Sequence, residues 1–382
     1  MKRLFLILGL LSAVLLCGCG RLRDSYPRLE QLRVVQTLGV DRTDTGLRLS
    51  LATAAGDRGA DAAVCLSADG PTLSAALTRA ESRSTEETLF CGHIRQMLIG
   101  ESAPLEPLLA TVCRSKDLRL DMPLYLLRGV SAEEIMSETG SGSRGITEVL
   151  DAVRGELDYR SSSRDFTVGH TLQDLQRQGC ALLCVLQRAE AAERSESAES
   201  ERGEEETPPA QTAALAGFAI VRGDEVLSWL GPEELLGIGL LRNSFGVQEL
   251  SVTDRNGNPV SFELRQGSSR VHPVWREDGS LQGVDLSIRL KASLLETGAQ
   301  PLSAPYIDDL TARLESAVAE QIRALLARAK SLQADFLGLG ARLEEAAPLA
   351  FRRLEEPFPA LLPKLEVSLS VQSRIEHEYD LQ

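Results

Sequence analysis

The sequence predicts a multidomain α/β protein, a mixed α+β arrangement of sheets with packed helices. Three observations point there. Strand-like apolar runs alternate with amphipathic helical stretches over residues 34–186, the pattern of an α/β domain. Strict apolar/polar alternation then appears three times between Val260 and Gln372, around one long amphipathic stretch. That predicts a C-terminal antiparallel sheet covered by a long helix. Between the two regions the composition breaks: EAAERSESAESERGEEETPP (190–209) has eight glutamates, two arginines and no large apolar side chain. Such a segment cannot bury enough surface to order itself. The expected organisation is an N-terminal α/β domain over 19–187, an acidic disordered linker over 188–212 and a C-terminal α/β region over 213–382.

Each element has its own justification. VVQTLGVD (34–41) reads as a strand and LRLSL (47–51) as its neighbour, joined by a turn from Thr43 to Gly46. AAVCL (62–66) is a short apolar run. Gly70 and Pro71 open a helix with Leu73, Ala76, Leu77 and Ala80 on one face. IRQMLI (94–99) is a strand ended by Gly100, and Ser102 is set to cap a helix carrying Leu105, Leu108, Leu109, Val112 and Cys113. PLYLL (123–127) is strand-like. Ser131 and Glu134 form a capping box for a short helix with Ile135 and Met136. Thr171 starts a further helix, and ALLCVL (181–186) is a buried strand.

The second half opens with a hairpin, GFAIVRGDEVLSWL (217–230), turning from Arg222 to Glu225. Pro232 starts a helix bearing Leu235, Leu236, Ile238 and Leu240. Val260, Phe262 and Leu264 line one strand face, Val284 to Leu290 a second, and Leu365 to Val371 a third. The covering helix runs from Pro305 to Leu332 with Ile307, Leu310, Leu314, Val318, Ile322 and Leu325 in its stripe.

The N-terminus is distinct. Lys2 and Arg3 precede a mostly apolar run from Leu4 to Leu16, followed at once by Arg21, Arg23 and Asp24. That is the build of a signal peptide, covering 1–18, and the run is too short for the ~20 residues of a membrane span. LCGC (Leu16–Cys19) fits a bacterial lipobox: a leucine three before the cysteine and a small residue just before it. The expected modification is diacylglycerol on Cys19, with Cys17 leaving in the cleaved peptide. Acyl chains on Cys19 would hold the protein to a membrane. A formal net charge of -14 argues against nucleic acid as a partner and against broad adhesion to anionic lipid.

The search for chemistry finds no catalytic, cofactor-binding or metal-binding residues to assign. His93, His170, His272 and His377 form no metal-spaced pair and no H-E-x-x-H motif. Cys65, Cys91, Cys113, Cys180 and Cys184 stand in largely apolar contexts and read mostly as small buried hydrophobes. GSGSRG (140–145) satisfies G-x-G-x-x-G, but it follows a helical stretch rather than a strand and reads as a connector. The chain is therefore read as non-enzymatic.

Several segments together resemble the Ger(x)C family, the C subunit of nutrient germinant receptors of spore-forming bacteria. They are RLEQLRVVQTLGVD (28–41), whose strand ends in Gly-x-Asp, LFCGHIRQMLIGE (89–101), SAEEIM (131–136), GFAIVRGD (217–224) with Trp229 and Leu230, and ADFLGLG (334–340) after the long helix. Their order and spacing carry the resemblance, which covers nearly all of the chain after Cys19. It implies a lipoprotein on the outer face of the spore's inner membrane, acting beside membrane A and B subunits, with no known enzymatic activity. It also implies three mixed α/β domains, so the C-terminal half divides further. Gly92, His93 and Asp335 to Gly340 are the family-like positions most open to a functional role. The structural reading of the same residues, glycines at turns and a partly buried, hydrogen-bonded His93, is preferred. The alternative reading of the whole chain is a lipid-anchored extracytoplasmic solute-binding protein, which requires a ligand cleft between two similar lobes.

Overall fold

Strands with apolar side chains on both faces need cover on both sides, and the chain supplies it. The computed structural model describes residues 32–53, 65–84, 88–140, 145–189, 213–296 and 303–376. The predicted signal peptide, Cys17, Cys19, the 190–209 segment, His377 and residues 141–144 lie outside them. β1 (Leu32–Thr43) and β2 (Gly46–Thr53) form the expected hairpin, and β3 (Cys65–Gly70) pairs antiparallel with β2. α1 (Leu73–Arg83) is capped by Thr72, whose hydroxyl accepts from the Ala75 N–H at 3.2 Å. β4 (Thr88–Phe90) and β5 (Gln96–Gly100) both run parallel to β1.

α2 (Leu105–Arg114) crosses to β6 (Leu124–Leu127). α3 (Ala132–Gly140), α4 (Ile146–Arg160) and α5 (Val168–Gln178) follow before β7 (Ala181–Arg188). β8 (Ala213–Arg222) and β9 (Glu225–Leu230) continue the same sheet, in the order β3-β2-β1-β5-β6-β7-β8-β9. Its centre, β1-β5-β6-β7, is parallel and its flanks are antiparallel. The hairpin that the sequence assigns to the second half thus extends the first sheet, which spans both sides of the acidic segment. Its partner β7 leaves a free edge, and Gly223, at a φ of 60°, makes the two-residue turn possible.

Three local details differ from the sequence reading. Ser102 caps nothing among the described residues; α2 follows Pro104 and takes a carboxylate from Asp224 at the Glu106 N–H, 2.9 Å away. Thr171 is buried inside α5, whose cap is Thr167. α4 is absent from the sequence reading, although Ile146, Val149, Leu150, Val153 and Leu157 repeat at helical spacing and are all buried. The capping box is as expected: the Ser131 hydroxyl accepts from the Glu134 N–H at 3.1 Å, and the Glu134 carboxylate accepts from the Ser131 N–H at 3.0 Å.

The strand interior explains the cover. On β7, Ala181, Leu183 and Val185 point into one core with α1 and α2; Leu182, Cys184 and Leu186 point into another with α3 and α4. The second core does not stop at the first sheet. It runs on through α6 (Leu235–Arg242) into a four-stranded sheet of β10 (Gln248–Thr253), β11 (Pro259–Trp275), β12 (Leu281–Glu296) and β13 (Glu366–Glu376). α7 (Ala304–Leu332) covers that sheet, burying Leu310, Leu314, Val318, Ile322 and Leu325.

α8 (Leu339–Ala346) and the short helices α9 (Pro348–Phe351) and α10 (Phe358–Leu361) lead into β13 (Glu366–Glu376). β11 and β12 are antiparallel as expected; β10, a strand absent from the sequence reading, pairs antiparallel with β11, and β13 runs parallel to β12 rather than antiparallel. The reason is the covering helix itself. A strand reached through a long helix returns in the same direction, whereas a tight turn would have reversed it.

The buried stripe of α7 is a direct test of this packing. Leu314→Ala is expected to lower stability by about 2–5 kcal/mol, the range for truncating a fully buried leucine. Ile307→Ala, on the half-buried start of the same helix, should cost less. Urea unfolding midpoints of the two variants against the parent protein check the difference.

Candidate functional site

Three of the family-like segments meet at one joint. Asp41, at the end of β1, points its carboxylate at the start of α3, accepting from the N–H groups of Ala132 at 2.9 Å and Glu133 at 3.1 Å. A helix start has unsatisfied N–H groups and a positive partial charge, so a buried carboxylate suits it. Burial raises the Asp41 pKa, and the two N–H donors work against that rise. Two glycines make room. A Cβ on Gly39 would stand 2.7 Å from Ala132 Cβ and from Met136 Sδ, and one on Gly100 would stand 2.4 Å from Asp41 Oδ1. The Gly-x-Asp of β1, the glycine of β5 and the start of α3 are therefore one device that locks a helix onto the sheet.

The other two segments build a second joint, between the first sheet and the helix that covers the second. Arg222 donates to the carbonyls of Leu332 and Gln333, both at 2.9 Å, at the exposed C-terminal end of α7. Asp335 is buried, and its carboxylate accepts from the N–H groups of Leu339 at 2.9 Å and Gly340 at 2.6 Å, folding the turn that starts α8. Desolvation pushes its pKa up to about 7; the two N–H donors and the nearby Arg242 pull the other way. Gly338 takes a φ of 72°, and a Cβ on Gly340 would meet the Phe358 ring at 2.8 Å.

Beside this turn lies an ion pair that the sequence reading does not contain. Arg242 Nη2 of α6 meets Asp174 Oδ2 of α5 at 2.6 Å, with both side chains nearly buried, and Arg242 Nε donates to the Phe336 carbonyl at 3.1 Å. Burial acts to lower the Arg242 pKa, but Asp174 and Asp165 outweigh it and hold the guanidinium above its ordinary value. Arg342 of α8 reaches the Ser269 carbonyl of β11 at 2.6 Å and the Leu241 carbonyl at 2.8 Å. One faint signal exists in the sequence: Arg242 ends LLGIGLLR, a helix whose other seven residues are all buried.

Two clefts flank the joint. One, of about 260 Å³, lies between Arg177, Gln178 and Asp335 on one side and Phe351, Phe358 and Pro359 on the other. The second, of about 370 Å³, is polar and includes Asp165, His170, Arg177, Arg342 and Glu345. Neither brings together a nucleophile and a base.

Cys180, just before β7, and Cys184 within it enter the same core, both fully buried, with burial raising the Cys180 thiol to about 12. Cys91 is also buried, whereas Cys65 is half-buried and Cys113 exposed. Among the described residues, no three His, Cys, Asp or Glu side chains gather as a metal site, and no helix is long and apolar enough to cross a membrane. The G-x-G-x-x-G glycines at each end border α3 and α4, two helices. His93 is exposed rather than partly buried; its ring packs edge-on against Phe90 with centroids 5.6 Å apart. Gly92 lies under that same Phe90 ring.

Comparison with known proteins gives this geometry its family. Residues 25–188 match the family model "Spore germination protein N-terminal domain", and residues 216–379 match "Spore germination B3/ GerAC like, C-terminal". The chain belongs to the Ger(x)C family of spore germination proteins. Among solved structures, the crystal structure of the GerBC protein is similar in fold, with a TM-score of 0.55 at 14% identity, over 88% of this chain and 96% of that one. No curated protein matches. Ger(x)C proteins are non-enzymatic germinant receptor subunits. The family-like segments at 39–41, 100, 131–134, 222–224 and 335–340 now have a physical role: each supplies or receives a contact at a helix end.

Two predictions follow the second joint. Asp174→Ala leaves the Arg242 charge buried without its partner and should cost about 3–5 kcal/mol; replacing both residues by apolar side chains should cost less. Denaturant unfolding of the single and double variants checks this. For Asp335, the folded pKa lies above the ordinary 3.8, so the native state holds a proton that the unfolded chain has lost between 3.8 and about 7. Its contribution is fully present below that window, falls as pH rises through it and levels off above. The stability difference between the parent and Asp335→Asn, followed against pH by urea unfolding, should show this fall; a flat difference across the window refutes it.

Proposed function

We propose that this Ger(x)C protein is the lipid-anchored, non-catalytic C subunit of a spore nutrient germinant receptor. Diacylglycerol on Cys19 holds it at the outer face of the spore's inner membrane, where it acts through contacts with A- and B-type membrane subunits. The observation that carries this reading is the pair of family models covering both halves, together with the LCGC lipobox ahead of them. The site geometry supports it: the polar groups of the family-like segments are engaged in internal helix-end contacts, which leaves the outer surface for partners.

The solute-binding reading is the weaker one. It needs two similar lobes around a cleft, and among the described residues the two sheets have nine and four strands in different orders. The clefts at the joint are open and flanked by a paired arginine and a buried, doubly hydrogen-bonded carboxylate.

Growth with labelled palmitate tests the anchor. Label should enter the parent protein and Cys17→Ala, and be lost in Cys19→Ala. Label lost in Cys17→Ala but kept in Cys19→Ala assigns the lipid to the other sulfur. For the receptor role, deleting the gene should abolish the response to at least one nutrient. A full response to every nutrient, with the A and B subunits still present at normal levels, overturns it.

A further inference from the structure

The N-terminal end of β1 carries a surface that fits a lipid headgroup layer. Leu32 pairs with Thr88, so the chain coming from Cys19 joins the fold beside β4. Between Cys19 and Leu32 the backbone can span at most about 45 Å. β4 ends in Phe90, a large apolar side chain 37% exposed, and the next turn is held down by buried Cys91 and presents His93 edge-on to the Phe90 ring. This is a fixed aromatic projection rather than a loose one.

A second segment lies at the same end of the sheet. The loop after α2 reads RSKDLRLD (114–121) and leads into β6, which runs parallel to β5 as β5 does to β1, so this loop and the turn before β5 enter the sheet from one end. Leu118 packs into the core below and Leu120 is 47% exposed. Arg114, Lys116 and Arg119 are exposed around it; Arg119 shares its charge with Asp121 at 2.5 Å, while Arg114 and Lys116 form no ion pair among the described residues. In a chain of net charge -14, this end of the sheet presents two exposed apolar side chains, Phe90 and Leu120, and a loop whose three cations outnumber its two carboxylates, Asp117 and Asp121. Apolar side chains among cations are the composition that settles at a membrane interface, where the cations meet phosphate and the apolar groups reach the acyl boundary.

We propose that this end of the molecule rests on the bilayer, with Phe90 and Leu120 inserted at headgroup depth and Arg114 and Lys116 on anionic lipid phosphates. The assignment rests on the Cys19 anchor proposed above and adds the orientation that the anchor alone leaves open. A tether of about 45 Å would let the protein stand off the membrane in any attitude; this surface fixes one.

Amide hydrogen exchange of the full lipidated chain tests it, on vesicles of phosphatidylglycerol and phosphatidylethanolamine, against unlipidated Cys19→Ala in solution. Peptides covering 88–95 and 114–121 should exchange severalfold more slowly on the vesicles, while β13 peptides should not change. The surface double variant Phe90→Ser/Leu120→Ser should still float with the vesicles and lose that protection. Flotation of the parent chain without protection at these peptides overturns the proposed face and leaves the anchor standing. Protection confined to another surface does the same. Failure of the parent chain to carry lipid or to float overturns the anchor, and the face with it.

Discussion

A helix leaves its first N–H groups and its last carbonyls without partners of its own, and this fold meets that demand with charged side chains, most of them brought from far along the chain. Asp41 of β1 serves α3, Asp224 of the β8–β9 turn serves α2, and Asp335 serves the turn into α8. Arg222 does the converse at the end of α7. Asp41, Asp224 and Arg222 each fix a helix end relative to the first sheet, while Asp335 fixes the local turn between α7 and α8. An apolar core can tolerate sliding between layers; a charged group bonded to two backbone atoms cannot. These contacts therefore set the registry of layers that hydrophobic burial holds together.

The same economy accounts for the shared interior. The core formed by α3 and α4 under the first sheet continues through α6 into the second sheet and its covering helix. The Asp174–Arg242 pair lies at the boundary, nearly buried. Such a pair contributes little net stability compared with apolar packing, because desolvation cancels most of the attraction. Its value is in rejecting misalignment: α5 and α6 must meet in one relation, or a charge is left buried alone. In the subunit role proposed above, a rigid relation between the two sheets would keep the outer surface in one shape.

That view changes how the family-like residues are understood. Of Gly39, Asp41, Gly100, Arg222, Asp224, Asp335 and Gly340, only Asp335 and Gly340 border either cleft at the joint. All of these residues lie where a Cβ would clash or where a helix end needs a charge. His93 and Gly92 are different, because they support an exposed aromatic ring rather than an internal contact.

Periodicity and turn chemistry were enough to read the mixed α/β class, the β1–β2 hairpin, the Ser131–Glu134 capping box and the stripe of the long helix, because each depends on residues within a few positions of one another. Ordered family-like segments were enough to name the family. The sheet that takes in the 213–230 hairpin, the parallel direction of β13 and the buried α5–α6 ion pair were decided by tertiary structure. Each depends on which distant element arrives alongside, and a strand, an arginine or an aspartate reads the same in sequence whichever neighbour it meets. The charged residues were the least legible: Asp41 and Asp335 look like any solvated carboxylate until the fold removes water from around them and puts two N–H groups in its place.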